Sequence, residues 1–213
     1  MPVDVKICGL KDAESISAAL DGGAAMVGFV FYHPSPRFIS IDHAFDLIKV
    51  VPEGVKRVGL VVDADDLWLT KIVNETGIDM LQLHGNESPE RVREIHKKFK
   101  IPIIKVIPVK DRKDLNHAYR FEEDVEYLLF DARPSKSASR PGGNAKSFDW
   151  SLLSGNAFKF PWILAGGLNS NNVSKAVKIS GAQVVDVSSG VEDLTGRKNV
   201  AKIKNFLATS SKL

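Results

Sequence analysis

The sequence predicts an α/β protein built as a single compact (β/α)8 TIM barrel, with residues 1–213 forming one domain. Three observations predict this. Eight short apolar runs rich in β-branched residues recur at intervals of roughly 20–30 residues, and each is followed by a polar turn and a stretch of helical spacing. The runs are apolar on both faces, as parallel strands are when helices cover the sheet. No G-x-G-x-x-G follows the first run and no Walker loop occurs, which weakens the rival doubly wound sheet. The length lies near the ~200-residue lower end for a closed barrel.

The predicted strands are Val3–Ile7, Met26–Phe31, Arg57–Val62, Met80–Leu83, Ile103–Val106, Tyr127–Phe130, Trp162–Ala165 and Val184–Val187. Helices fit between them. Ala13, Ile16 and Leu20 form one apolar face before Gly22-Gly23 stops the turn. Ser88-Pro89 supplies an N-cap and a proline at the first helical position, ahead of the Val92, Ile95 and Phe99 stripe. Asn169 or Ser170 is the expected cap of a helix carrying Val173, Ala176 and Val177, which Gly181 ends. Val200, Ile203, Phe206 and Leu207 make the inner face of the last helix.

Composition narrows the function classes. The 44% hydrophobic and 26% charged content is that of an ordinary globular chain, not a disordered or fibrous one. One cysteine excludes an internal disulfide and a thiolate metal cluster, and it points to a reducing, cytoplasmic setting. The net charge of 29 − 26 = +3 is spread along the chain without a run of five like charges, so extended nucleic-acid or membrane binding is not expected. A phosphorylated small molecule remains compatible with that charge. Residues Met1 to Lys6 lack the pattern of a signal peptide, and the apolar stretch from Ala24 to Tyr32 is about half a membrane span.

In a barrel of this type the chemistry belongs at the C-terminal ends of the strands. There the sequence places Cys8-Gly9, the long loop His33-Pro34-Ser35-Pro36-Arg37, Gln82-Leu83-His84-Gly85, Asp131, Gly166-Gly167 and Asp186-Val187-Ser188-Ser189-Gly190. Gly166-Gly167 and Ser189-Gly190, in adjacent loops, can offer backbone N–H groups beside helix N-termini to a phosphate; taken singly they read as tight turns. Cys8 and Asp131 can serve as base and acid across the mouth. They read equally as a small buried hydrophobe and as a helix cap or partner of Arg133. Arg37 is a candidate carboxylate clamp or a solvated surface residue. His84 is a candidate imidazole catalyst or a satisfied polar group. The five histidines lack H-x-x-x-H spacing, so no metal is expected.

Taken together and in order, these motifs resemble the phosphoribosylanthranilate isomerase family. The resemblance rests on Val5-Lys6-Ile7-Cys8-Gly9, on Gly28-Phe29-Val30-Phe31 with Ser35-Pro36-Arg37, and on Gln82-Leu83-His84-Gly85. It continues through Asp131, Gly142-Gly143 to Phe148-Asp149-Trp150, Ala165-Gly166-Gly167-Leu168 and Asp186 to Glu192, covering nearly the whole chain. It implies an Amadori rearrangement in tryptophan biosynthesis that needs no cofactor. By the same resemblance Cys8 is the general base, Asp131 the general acid, and Arg37 the contact for the anthranilate carboxylate. Gly166, Gly167, Ser189 and Gly190 fall at the phosphate loops, with Gly142 and Gly143 contributing, and Asp186 is a substrate-site aspartate. A slightly basic mouth is expected from Lys6, Arg37 and Lys146.

Two positions depart from the family pattern: Ala145 stands where a third glycine is usual, and Asn199 where aspartate is common. The polar stretch from Ala132 to Pro141 reads as a lid. The competing readings are a related sugar-phosphate barrel and a barrel that binds phosphate without turnover. Indole-glycerol-phosphate synthase would carry a catalytic lysine on a strand and an extra N-terminal segment, and the histidine-pathway isomerase an aspartate at position 8. The non-catalytic barrel would have lost Cys8 or Asp131. The oligomeric state is not legible in the sequence.

Overall fold

A computed structural model describes residues 2–134, 142–143, 147–155 and 158–213. Eight parallel strands close into a barrel: β1 (Asp4–Cys8), β2 (Met26–Val30), β3 (Lys56–Val61), β4 (Met80–Leu83), β5 (Ile103–Val109), β6 (Tyr127–Ala132), β7 (Trp162–Leu164) and β8 (Val184–Val187). Each agrees with a predicted run to within a few residues. The barrel is sealed where β1 pairs with β8, Lys6 lying opposite Asp186 in register.

Strand alternation sorts the side chains into two cores. Met26, Val58, Met80, Ile104, Leu129, Ile163 and Val184 fill the barrel interior. Ile7, Val27, Phe29, Val61, Leu81, Leu83, Phe130 and Val185 point outward and meet the helices. Both faces are thereby buried, the physical origin of the all-apolar runs. Above the interior plug, Cys8, Val30 and Leu60 form a small separate cluster at the mouth.

The outer layer is α1 (Ala13–Asp21), α2 (Ile41–Ile48), α3 (Asp66–Thr76), α4 (Pro89–Phe99), α5 (Arg112–Ala118), α6 (Val173–Ser180) and α7 (Val200–Ser210). Local chemistry starts most of them. The carboxylate of Asp12 accepts from Ser15 N at 2.8 Å, Ser88 Oγ accepts from Arg91 N at 3.2 Å, and Asn199 Oδ1 accepts from Lys202 N at 2.9 Å. Such caps contribute about 1 kcal/mol each, so asparagine at 199 serves where aspartate is common.

The structure differs from the expectation at two elements. The residue preceding α6 is Asn172, not Asn169 or Ser170. Its side chain is spent elsewhere, donating to Gly167 O at 2.9 Å and accepting from Asn169 N at 2.8 Å. It therefore holds the loop above β7 and does not cap the helix. After β6, the described residues contain only a 3-10 turn, Trp150–Leu152, where an α-helix was expected. The lid expected at residues 132–141 lies mostly outside the described residues, as do Ala145 and Lys146.

Beyond β8 comes an unpredicted antiparallel hairpin, β9 (Glu192–Leu194) with β10 (Arg197–Lys198). Among the described residues no helix is long and apolar enough to cross a membrane.

Candidate active site

The C-terminal ends of the strands enclose one pocket lined by Cys8, Arg37, His84, Asp131, Gly142, Gly143, Gly166, Gly167, Asp186 and Ser189, among others. Cys8 enters from β1 and Asp131 from β6, on different sides of the barrel. Gly190 does not line the pocket. It packs on Leu168, and an added Cβ would sit 1.8 Å from the Leu168 carbonyl oxygen.

Cys8 is a free, buried thiol. Two residues earlier on the same inward face is Lys6, fully buried, its Nζ donating to Asp186 Oδ1 at 2.9 Å. Lys6 thus lies beneath the mouth and not at its rim, a correction to the expectation from sequence. Period-two alternation places it below Cys8, and Asp186 opposite in register pairs with its ammonium. Burial pushes the Cys8 thiol up, against the pull of Lys6. Burial also opposes the charge on Lys6, but Asp186 and Cys8 together outweigh it and hold the ammonium above its ordinary value. Cys8 therefore has a cation at hand once it loses its proton.

Asp131 accepts from Ala132 N at 2.8 Å through Oδ1, while Oδ2 lies 3.5 Å from His84 Nε2. Arg133 pairs with Asp114 instead, which removes one of the two structural readings of Asp131. His84 in turn places Nδ1 3.4 Å from Gln82 Nε2. Gly142 and Gly143 lie on this side of the pocket. A methyl group on Gly142 would stand 2.5 Å from His84 Cε1, and one on Gly143 would stand 2.4 Å from Arg37 Nη1. The pair therefore bridges the space between Asp131 and Arg37.

Arg37 is 4% exposed and is not a surface residue. Its Nε and Nη2 donate to Glu192 Oε1 and Oε2 at 2.7 and 2.9 Å. Lys198 Nζ donates to the same Oε1 at 2.8 Å, and Gly196 N donates to Oε2 at 3.0 Å. Burial alone would raise the Glu192 carboxyl, but Arg37 and Lys198 hold it down to about 2. The Lys198 ammonium is lowered as well, by burial, despite the opposing pull of Glu192.

The loops after β7 and β8 face each other across one edge of the pocket. Gly166 and Gly167 have φ of 91° and 64°, left-handed conformations that suit glycine. Among the described residues, no protein acceptor takes the N–H of Gly167, Leu168, Ser189 or Gly190. Such a cluster of outward donors is a ready anion site. Ser188, at the base of this loop, donates from Oγ to Cys8 O at 3.0 Å and accepts from Lys198 Nζ.

A family model described as N-(5'phosphoribosyl)anthranilate (PRA) isomerase matches residues 5–209. The chain belongs to this family. An N-(5'-phosphoribosyl)anthranilate isomerase of Paramagnetospirillum magneticum is 49% identical over 207 residues, covering 97% of this chain and 96% of that protein. The Rhodospirillum rubrum isomerase is 47% identical, covering 95% of each. Among solved structures, the Thermotoga maritima phosphoribosyl anthranilate isomerase superposes with a TM-score of 0.89 at 34% identity, over 99% of this chain and 100% of that one. A phosphoribosyl anthranilate isomerase solved with reduced 1-(o-carboxyphenylamino)-1-deoxyribulose 5-phosphate gives 0.86 at 33% identity, with the same coverage.

The sequence shows Cys8, Asp131 and Arg37 at the strand ends but not the buried ions that hold Arg37. In the sequence Glu192 reads only as the end of a motif, and Lys198 draws no role. A signal did exist: two opposite charges flank Gly196 at a spacing that a short hairpin brings face to face.

Proposed function

We propose that the pocket carries out this family's isomerisation of N-(5-phosphoribosyl)anthranilate to 1-(2-carboxyphenylamino)-1-deoxyribulose 5-phosphate, with Asp131 as acid and Cys8 as base. The observation that carries the assignment is the entry of these two groups from β1 and β6 into one pocket, with unpaired N–H donors at one edge and Arg37 at another.

The chemistry follows from those positions. Asp131 gives its proton to the furanose ring oxygen as the C1′–O bond breaks, and the anilino nitrogen lone pair forms the C1′=N iminium. The Cys8 thiolate then removes the C2′ proton, whose bonding pair becomes the C1′=C2′ bond while the iminium π pair returns to nitrogen. The resulting enolamine tautomerises to the C2′ ketone, so atoms balance without any cofactor. A buried thiol whose pKa is pushed up is a stronger base when ionised, and Lys6 compensates its charge. The cationic iminium is the species that makes C2′–H acidic enough for it.

The phosphate is assigned to the N–H groups around Gly166, Gly167 and Ser189, with Gly190 serving the close packing of the two loops, and the anthranilate carboxylate to Arg37. The product analogue bound by the related isomerase carries both a phosphate and a carboxyphenyl group, which supports this division. Gly142 and Gly143 are assigned to cover the acid and the carboxylate end rather than the phosphate, because they abut His84 and Arg37. Asp186 acts through Lys6. We assign the reaction to the cytosol, where a lone thiol stays reduced.

The test follows the fluorescence of freshly prepared phosphoribosylanthranilate. Cys8→Ser is expected to lose most of its turnover while binding substrate with near-native affinity. Because thiolate is required and burial raises its pKa, the wild-type rate climbs with pH on its acidic limb through a raised thiol pKa. A serine variant within a few-fold of wild type overturns the base assignment.

A further inference from the structure

Arg37 sits in a loop after β2 that is pinned on several sides. Its own N–H donates to Ser35 Oγ at 3.1 Å, and Lys11 Nζ donates to the adjacent Pro36 carbonyl at 3.0 Å. The guanidinium is held from the far end of the sequence by Glu192, 155 positions away. Glu192 opens β9 and is the register partner of Lys198 on β10, so the hairpin itself sets their approach.

Glu192 takes the Nε–Nη2 edge of the guanidinium in fork geometry, which fixes the plane of the group. The remaining Nη1 corner is the part turned towards Gly143 and the pocket. A free arginine side chain would have to be ordered on binding; this one is already ordered. Paired with Glu192 alone it would present a neutral couple to an incoming anion. Lys198, with its side chain 1% exposed, touches the same carboxylate and leaves the buried triad with one net positive charge. Lys198 also donates to Ser188 O at 2.9 Å, tying the triad to the loop that contacts Cys8 O.

We propose that the β9–β10 hairpin positions Arg37 for substrate selection: Glu192 locks one edge of the guanidinium, and Lys198 supplies the net charge that lets the other edge prefer a carboxylate-bearing aniline. Glu192 and Lys198 are positioning residues that act through Arg37. The proposal rests on the reading of Arg37 as the carboxylate contact, and the experiment separates the two.

The probes are phosphoribosylanthranilate and its counterpart made from aniline, which lacks the carboxylate. For each protein, kcat and KM are measured on both, and the preference is the ratio of kcat/KM values. Arg37→Met should abolish the preference. Glu192→Gln and Glu192→Asp should each lower it by about 10- to 100-fold, the range a small misplacement of a binding group produces. The loss should appear in KM for the anthranilate substrate, with turnover of the aniline substrate within a few-fold of wild type. That retained turnover also reports folding. Glu192→Asp keeps the negative charge but withdraws the fork by one methylene, and it decides the matter where Glu192→Gln does not fold.

A purely electrostatic role predicts the reverse for Glu192→Gln, because removing a negative charge would strengthen anion binding. A preference that rises, or that stays within about twofold in both Glu192 variants while Arg37→Met loses it, overturns the positioning role. No loss of preference in Arg37→Met overturns the reading of Arg37 and the inference with it.

Discussion

The Glu192 carboxylate should make the stability of this protein depend on acid in a way that a single substitution removes. Its side chain is 3% exposed, and its ordinary pKa of 4.5 is held down to about 2 by Arg37, Lys198 and the Gly196 N–H, against the effect of burial. A group whose pKa is lower in the folded state stabilises that state above its unfolded value, and loses the contribution as pH falls towards the folded value. A shift of this size corresponds to about 3 kcal/mol, fully present at pH 6 and above. Roughly 2 kcal/mol of it is gone by pH 3. The assay is urea unfolding of wild type and Glu192→Gln at half-unit steps between pH 3 and pH 6. The glutamine variant does not titrate there, and all other carboxylates are common to both proteins. The stability difference should therefore shrink by about 2 kcal/mol on acidification, mostly below pH 4.5. A difference that stays level across the range would refute the assignment of a depressed pKa to this ion cluster.

Two further outcomes test the surroundings of the site. A methyl group at Gly28 would lie 3.1 Å from Cys8 Sγ and 3.2 Å from Lys6 Nζ, wedged between the thiol and its cation. Gly28→Ala should lower kcat about tenfold with KM little changed, the split expected when the reacting group rather than the binding site is displaced; unchanged kcat would contradict it. Lys105 and Glu87, both nearly fully buried, pair at 2.8 Å beneath the loop that carries His84. Lys105→Met leaves Glu87 without its counter-ion and should cost about 3 kcal/mol in urea unfolding; a loss below about 1 kcal/mol would show that the backbone N–H groups of Asp63 and Gly85 suffice.

The strands and the Ser88 cap are legible because their causes are local. Ser88-Pro89 and the β-branched runs act on neighbours within a few residues, and the predicted strand boundaries shift by only a few positions, mainly where β5 and β6 extend into their loops. Asn172 defeated the cap reading for a tertiary reason: its amide is needed by the Gly167 loop. The candidate site was legible as a set of residue types at strand ends, since the barrel sends all eight ends to one mouth. Arg37 was not legible as buried, because its partner comes from a hairpin at the other end of the chain.

By itself, then, the sequence determined the eight-strand rhythm, the Ser88-Pro89 helix start and the residue types at the mouth. Period-two and helical spacing, together with caps, need only nearby residues. The tertiary structure decided how those residues are charged and held. Closing β1 against β8 in register brings Lys6 to Asp186 across 180 positions, and hairpin docking brings Glu192 to Arg37. Those ions exist as neighbours only after the barrel has closed: burial then raises the thiol, Asp186 and Cys8 outweigh burial to hold the Lys6 ammonium, and Glu192 fixes the guanidinium of Arg37.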